Sequence, residues 1–278
     1  MFKHLWRIYE AAAMLLGLGL LALLCLLWTL PALLLHALLP PSAGQRVGRA
    51  VIRLSFRFYL AALTLLCACR FDLRELDQLA RERGPRVVVA NHPSLLDALI
   101  LASRLPNAVC VMKAALARNL LLGAGARLAR YIVNDAPLPM LRHATRALQD
   151  GATLIIFPEG TRTATPPVDA CAATAGILAA RAGVPVQAVL IEMSSLYLGK
   201  RWTLWRPPAL PLTVRVRRGE CWRFDRAPDG AKSAAVRHFG PRLEAYFRGA
   251  LAPDLAPGPA AASAQAAGPQ PPESEASS

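Results

Sequence analysis

Acidic side chains are scarce in this chain: 18 Asp and Glu stand against 32 Lys and Arg, a formal charge of +14. Such an excess suits an anionic membrane interface or nucleic acid as partner. Charge of either sign is sparse, at 18% of residues, whereas 54% are hydrophobic and the mean hydropathy is +0.34. That is too apolar for a typical soluble enzyme, so a membrane-facing part is expected. The six cysteines form no Cys-x-x-Cys pair and no His or Asp cluster with ligand spacing accompanies them. Neither a disulfide framework, nor a metal, nor a cofactor is therefore expected. There is no Gly-x-Ser-x-Gly elbow, which counts against a serine hydrolase, and there is no glycine-rich nucleotide loop and no internal repeat.

What is present begins with an apolar N-terminus. Residues 11–35 are apolar except for Thr29, long enough to cross a hydrocarbon core of about 30 Å and too long for a signal-peptide core. Pro31 is expected to interrupt this helix and Pro40-Pro41 to end it. A second, more amphipathic helix is expected over 51–69, with Arg53 and Arg57 inside it. Cations flank both sides, Lys3 and Arg7 before the run and Arg46, Arg49, Arg53 and Arg57 after it. That balance favours a hairpin or in-plane anchor on the cytoplasmic face of the inner membrane over a single span with the N-terminus outside. Cys25, Cys67 and Cys69 fall in these membrane-facing segments.

From residue 70 onward short apolar runs alternate with helical patterns. Strands are expected over 87–90, 108–112, 131–133, 153–157 and 185–191, and helices over 96–105, 114–129, 141–150 and 168–182. The alternation predicts an α/β fold, a mainly parallel sheet with helices on both faces, preceded by the membrane-anchoring helices. Residues 1–69 would be the anchor, 70–251 the α/β domain and 252–278 a disordered tail of Ala, Pro, Gly and Ser. Residues 198–226 mix Lys200, Arg201, Arg206, Arg215, Arg217, Arg218, Arg223 and Arg226 with Trp202, Trp205 and Trp222. Beside a hydrophobic anchor, this stretch reads as a membrane interface and not as a nucleic-acid surface.

Two strand ends carry the polar residues from which chemistry is built. After 87–90 come Asn91-His92-Pro93-Ser94-Leu95-Leu96-Asp97, at the carboxyl end of a strand, where open α/β sheets hold their ligands. Imidazole takes a proton from a hydroxyl near neutral pH, and a carboxylate on its far nitrogen fixes its tautomer. Asp97 has a plainer reading too, as the acid of a capping box with Ser94. The second strand end, after 153–157, opens into Pro158-Glu159-Gly160-Thr161-Arg162.

Together these stretches resemble the glycerolipid acyltransferase family, which includes 1-acylglycerol-3-phosphate and other lysophospholipid acyltransferases. Asn91, His92, Ser94 and Asp97 match its first motif in full, and Phe157 to Arg162 its third. Lys113 stands where a second block often carries lysine, and 184–189 is similar to a later strand of the family, with Ala188 where a second proline is usual. The arginine expected after Tyr131-Ile132-Val133 is missing. The resemblance implies a membrane O-acyltransferase that moves a fatty acyl group from acyl-CoA or acyl-carrier protein to a lysolipid hydroxyl. Its catalytic domain would face the cytoplasm among membrane lipids. His92 would act as base with Asp97 orienting it, and Asn91 and Ser94 would support them. Lys113, Glu159, Gly160, Thr161 and Arg162 would shape the acceptor site. Lysophosphatidate is the favoured acceptor; the alternatives are a lysolipid with another head group, such as an amino-acid lipid or a specialised glycolipid, and, behind it, a lipid hydrolase or thioesterase or a non-catalytic membrane lipid-binding protein.

Overall fold

A computed structural model describes residues 2–203, 206–225 and 234–252. Two long helices open the chain, α1 (Phe2–Leu38) and α2 (Pro41–Leu66). There follow β1 (Cys69–Asp72), α3 (Arg74–Arg81), β2 (Arg86–Ala90), α4 (Leu96–Arg104), β3 (Ala108–Met112), α5 (Ala114–Ala117), α6 (Gly123–Leu128) and β4 (Ile132–Val133). The remainder is α7 (Pro137–Gln149), β5 (Thr153–Ile156), α8 (Thr174–Ala182), β6 (Val186–Met193), β7 (Leu212–Trp222), α9 (Ala234–Arg237) and α10 (Phe239–Leu251). Among the described residues one sheet forms, in the order β1-β7-β6-β2-β5-β3-β4, parallel except where β6 meets β7.

The pleat explains the layers. In β2 every residue is buried, but successive side chains face opposite ways. Val88 and Ala90 pack with α2, α3 and α4 through Leu63, Leu76 and Ile100. Val87 and Val89 pack with α7, α8 and α10 through Leu148, Leu178 and Phe247. A strand covered on both faces reads as an unbroken apolar run, as 87–90 does.

Several expectations are corrected. Helix α1 continues through Pro31. The ring removes one backbone hydrogen bond, but the turns beside it are held by packing, with Ala32 fully buried against Ala124 and Leu128 and Trp28 against the same cluster. The helix expected over 114–129 is broken into α5 and α6, because the Asn119 side chain accepts the Leu121 and Leu122 N–H groups and closes a turn. Helix α2 starts ten residues earlier than 51, and Cys67 and Cys69 are buried in the core instead of facing lipid.

The stretch 198–226 is not one interfacial face. Eleven of its residues form β7, where Trp222 is buried against Phe239 and Tyr246. Arg217 pairs with Glu192, and Arg218 with Glu82. The arginines alternate with apolar residues that face the core, which is the period of a strand. Trp202 donates its indole N–H to the Arg206 carbonyl and lies under the Arg206 guanidinium. Trp205, Arg226 and the tail beyond residue 252 lie outside the described residues.

Candidate active site

Strand order brings the two polar loops together. β2 and β5 are parallel neighbours with Val89 opposite Ile156, so the residues that follow each strand emerge side by side. The His92 ring therefore stacks on Phe157, with centroids 3.8 Å apart and planes 16° apart. Asn91 anchors the strand end on the other side: its amide donates to the Ile191 carbonyl and its oxygen accepts the Ile191 N–H, both at 2.8 Å. A side chain thus continues the ladder between β2 and β6 for one more rung.

His92 Nδ1 lies 2.9 Å from Asp97 Oδ2. The same oxygen accepts the Ser94 N–H at 2.7 Å, and Ser94 Oγ accepts the Leu96 N–H at 3.1 Å. The capping and orienting readings of Asp97 hold together, since one carboxylate closes the helix entrance and meets the imidazole. An ionised carboxylate accepts only, so Nδ1 is the donor in this pair, and in the neutral imidazole Nε2 is then the nitrogen with the lone pair. Asp97 is fully buried. Burial pushes its pKa up, while the His92 hydrogen bond and charge, the Ser94 N–H and the Arg162 charge pull it down.

Glu159 lies behind the cavity wall. Its Oε1 accepts the His92 N–H and the Thr163 hydroxyl, and its Oε2 the Asp169 N–H, each at 2.9 Å. Burial raises its pKa against those three donors. Asp169 in turn accepts the Ala164 and Thr165 N–H groups. This loop occupies 163–173, which is why α8 starts at Thr174 and not at 168. Nothing in the sequence marks Thr163 and Asp169, because each serves a carboxylate through the shape of the loop, from four and ten positions away. Arg162 Nη1 donates to the Leu198 and Gly199 carbonyls at 2.8 Å, tying the β6–β7 connection to the site. Gly160 turns the chain at φ +67, a conformation that favours glycine.

His92 opens onto a cavity of about 640 Å³. Gly160, Thr161, Arg162 and Lys113 line it near the strand ends, as does Asn134. Most of its wall is apolar and comes from distant segments: Leu21, Leu24 and Trp28 of α1, Phe56 of α2, Leu99 of α4 and Met140 of α7. Cys110 lies in the same wall, its thiol pushed up to about 12 by burial, which makes it a poor nucleophile near neutral pH. No group of three His, Cys, Asp or Glu side chains converges as a metal cage among the described residues.

Residues 70–192 match the Acyltransferase family model. The fold is similar to the crystal structure of the 1-acyl-sn-glycerophosphate (LPA) acyltransferase PlsC from Thermotoga maritima, with a TM-score of 0.60 and 19% sequence identity. That likeness covers 90% of this chain and 98% of that one. The family match spans β1 to β6 with both polar loops inside it, so residues 70–192 are an acyltransferase domain.

Proposed function

We propose that the chain moves a fatty acyl group from acyl-CoA or acyl-carrier protein to the free hydroxyl of a membrane lysolipid, with 1-acyl-sn-glycerol-3-phosphate as acceptor and phosphatidate as product. The observation that carries this reading is the His92–Asp97 pair, 2.9 Å apart, at a large apolar cavity. His92 Nε2 takes the proton of the acceptor hydroxyl as its oxygen attacks the thioester carbonyl. The tetrahedral intermediate collapses, the C–S bond breaks, and the imidazolium returns its proton to the leaving thiolate. Asp97 holds the ring and stabilises the imidazolium. The apolar wall takes an acyl chain, and Arg162 and Lys113 supply positive charge to the head group.

The N-terminal helices support a membrane-bound enzyme with an in-plane anchor. α1 is long and apolar enough to cross a membrane, yet it is tied along its length to the rest of the molecule. The Tyr9 hydroxyl donates to the Leu66 carbonyl, Glu10 accepts the Leu210 N–H, and the Thr29 hydroxyl donates to the Leu120 carbonyl. Those ties span about 30 Å of helix. Outward from them Leu23, Leu26, Leu27 and Leu30 are exposed, with Leu54, Phe58 and Leu65 of α2, an apolar area suited to the inner membrane with the catalytic domain on its cytoplasmic side.

Asn134 lines the cavity where a cation is missing, and Arg162 is engaged with two carbonyls. These features favour a second reading, a lysolipid whose head group carries no glycerol phosphate. Purified protein in detergent, given labelled acyl-CoA or acyl-carrier protein and a panel of lysolipids, tests both. Transfer to 1-acyl-sn-glycerol-3-phosphate is expected, with a higher acceptor KM and lower kcat in Arg162→Lys, since lysine is a point charge without the guanidinium fork. Release of free fatty acid to water alone would sink the transferase mechanism. Unchanged relative rates for phosphate-bearing and phosphate-free lysolipids in Arg162→Lys would remove Arg162 from phosphate recognition.

A further inference from the structure

We propose that Glu159 is a positioning residue that holds His92 by its main chain, and not a contact for the acceptor. The proposal rests on the acyl-transfer reading above and concerns how its base is aimed. Both carboxylate oxygens are taken by groups of the chain itself: Oε1 by the His92 N–H and the Thr163 hydroxyl, Oε2 by the Asp169 N–H. Its neighbours Pro158, Gly160, Thr161 and Arg162 all line the cavity, and Glu159 does not. The grip on His92 is two-sided, because the Thr163 N–H donates to the His92 carbonyl at 2.8 Å.

Three donors converge on this one side chain, and a carboxylate answers them with two oxygens and no N–H of its own. Glutamine in its place sets an amide NH₂ against the Asp169 N–H or against the pair at Oε1. The link from Asp169 through Glu159 to His92 also spans the loop after β5, which Asp169 closes by accepting the Ala164 and Thr165 N–H groups. The His92 ring is then fixed from three directions: Asp97 at Nδ1, Phe157 against its face, and Glu159 at its peptide. The ring nitrogen facing the cavity follows the main chain, and a displacement of about 1 Å at a reacting group costs on the order of 10²-fold in rate.

The experiment uses the full chain in detergent micelles with palmitoyl-CoA and 1-oleoyl-sn-glycerol-3-phosphate. Glu159→Gln is expected to lower kcat by about 10- to 100-fold while the acceptor KM stays within about twofold. Hydrogen exchange should quicken in the peptide carrying residues 90–95 and stay unchanged in the strands. Thr163→Val keeps the side-chain volume and removes one donor. It should lower kcat several-fold at constant acceptor KM, and it decides the matter if Glu159→Gln does not fold. A rise in acceptor KM with kcat preserved would show Glu159 contacting the acceptor, and unchanged kcat in either folded variant would equally overturn the proposal. Loosening of the whole sheet by exchange would reduce Glu159 to general stability. Two controls separate the levels: absence of transfer by the wild-type chain overturns the acyl-transfer reading, and full transfer by His92→Ala overturns His92 as its base and this inference with it, whereas an inactive His92→Ala beside an active wild type leaves Glu159 to be judged on its own numbers.

Discussion

The loops around His92 and the wall built by α1, α2 and α6 border the same cavity and are held in opposite ways. Around His92 the ties are directional: Asp97, Glu159, Asn91 and Arg162 each meet backbone groups at 2.7–2.9 Å. In the wall the ties are close approaches of small residues. A Cβ on Gly48 would lie 2.7 Å from the Ala129 nitrogen, and one on Gly125 would lie 3.0 Å from the Trp28 ring. Arg49 adds one polar pin, donating to the Ala129 carbonyl and to Asn107 Oδ1. In the proposed mechanism the first region aims the base and the second determines shape, so damage to each should appear in different measurements.

The largest effect is expected at the pair itself. Asp97→Asn and His92→Ala should each lower kcat by about 10³-fold or more. His92→Ala should leave the thermal midpoint close to wild type, since the ring lies at the cavity and not in the core. Asp97→Asn should also lower the midpoint, because the carboxylate accepts the Ser94 N–H at the entrance to α4. An Asp97→Asn enzyme with lost stability and retained rate would assign that residue to the helix alone.

The wall should fail in stability first. In Gly48→Ala the new methyl meets backbone atoms of Leu128 and Ala129 that cannot rotate away. A cost of about 1–3 kcal/mol is expected from such overpacking, read as a lower thermal midpoint in detergent. Turnover of the surviving folded enzyme should fall far less than in Asp97→Asn. A loss of kcat without loss of stability would erase the contrast between the two regions.

Gly125→Ala should be milder, because the group it meets is a side chain. Trp28 lines the cavity, so its displacement should alter kcat/KM for long-chain thioesters by up to about tenfold, with less effect on short ones. Equal loss at every chain length would place Trp28 away from the acyl chain. The smallest effect is expected at the exposed pair between the end of β1 and the start of α3. Arg74 donates to Asp72 and lowers its carboxyl pKa from the ordinary 3.8 to about 2. A depressed acid stabilises the fold above its ordinary pKa and loses that contribution as pH falls from about 3.8 towards 2. Asp72→Asn should flatten the melting-temperature profile in that window, its small loss of stability being full at neutral pH and gone near pH 2. A large shift at pH 7 would show that the pair does more than a surface ion pair does.

Legibility in the sequence followed the range of the interactions. The buried parallel strands β2, β3, β5 and β6 were readable because a strand covered on both faces is an apolar run in any context. β1 and β7 were not: β1 is four residues long and follows directly on an apolar helix, and its partner begins at Leu212, paired with Cys69. The arginines of β7 looked like a membrane-facing cluster because alternation with buried Val214 and Val216 has meaning only once a sheet exists to take the apolar side. Asn119 was a readable breaker that the expected helix over 114–129 passed over.

What the chain's own order determined is the His92–Asp97 pair, five residues apart across one helix entrance, where a capping turn brings imidazole and carboxylate together with little help from elsewhere. What only the tertiary structure decided is everything that faces that pair. Glu159 reaches the His92 peptide across 67 residues because β2 and β5 are neighbours in the sheet. Trp28 reaches the cavity because α1 packs on α6 through Gly125 and Ala32. Such contacts depend on strand order and on the close approach of helices, and both come from burying apolar faces far apart in the chain.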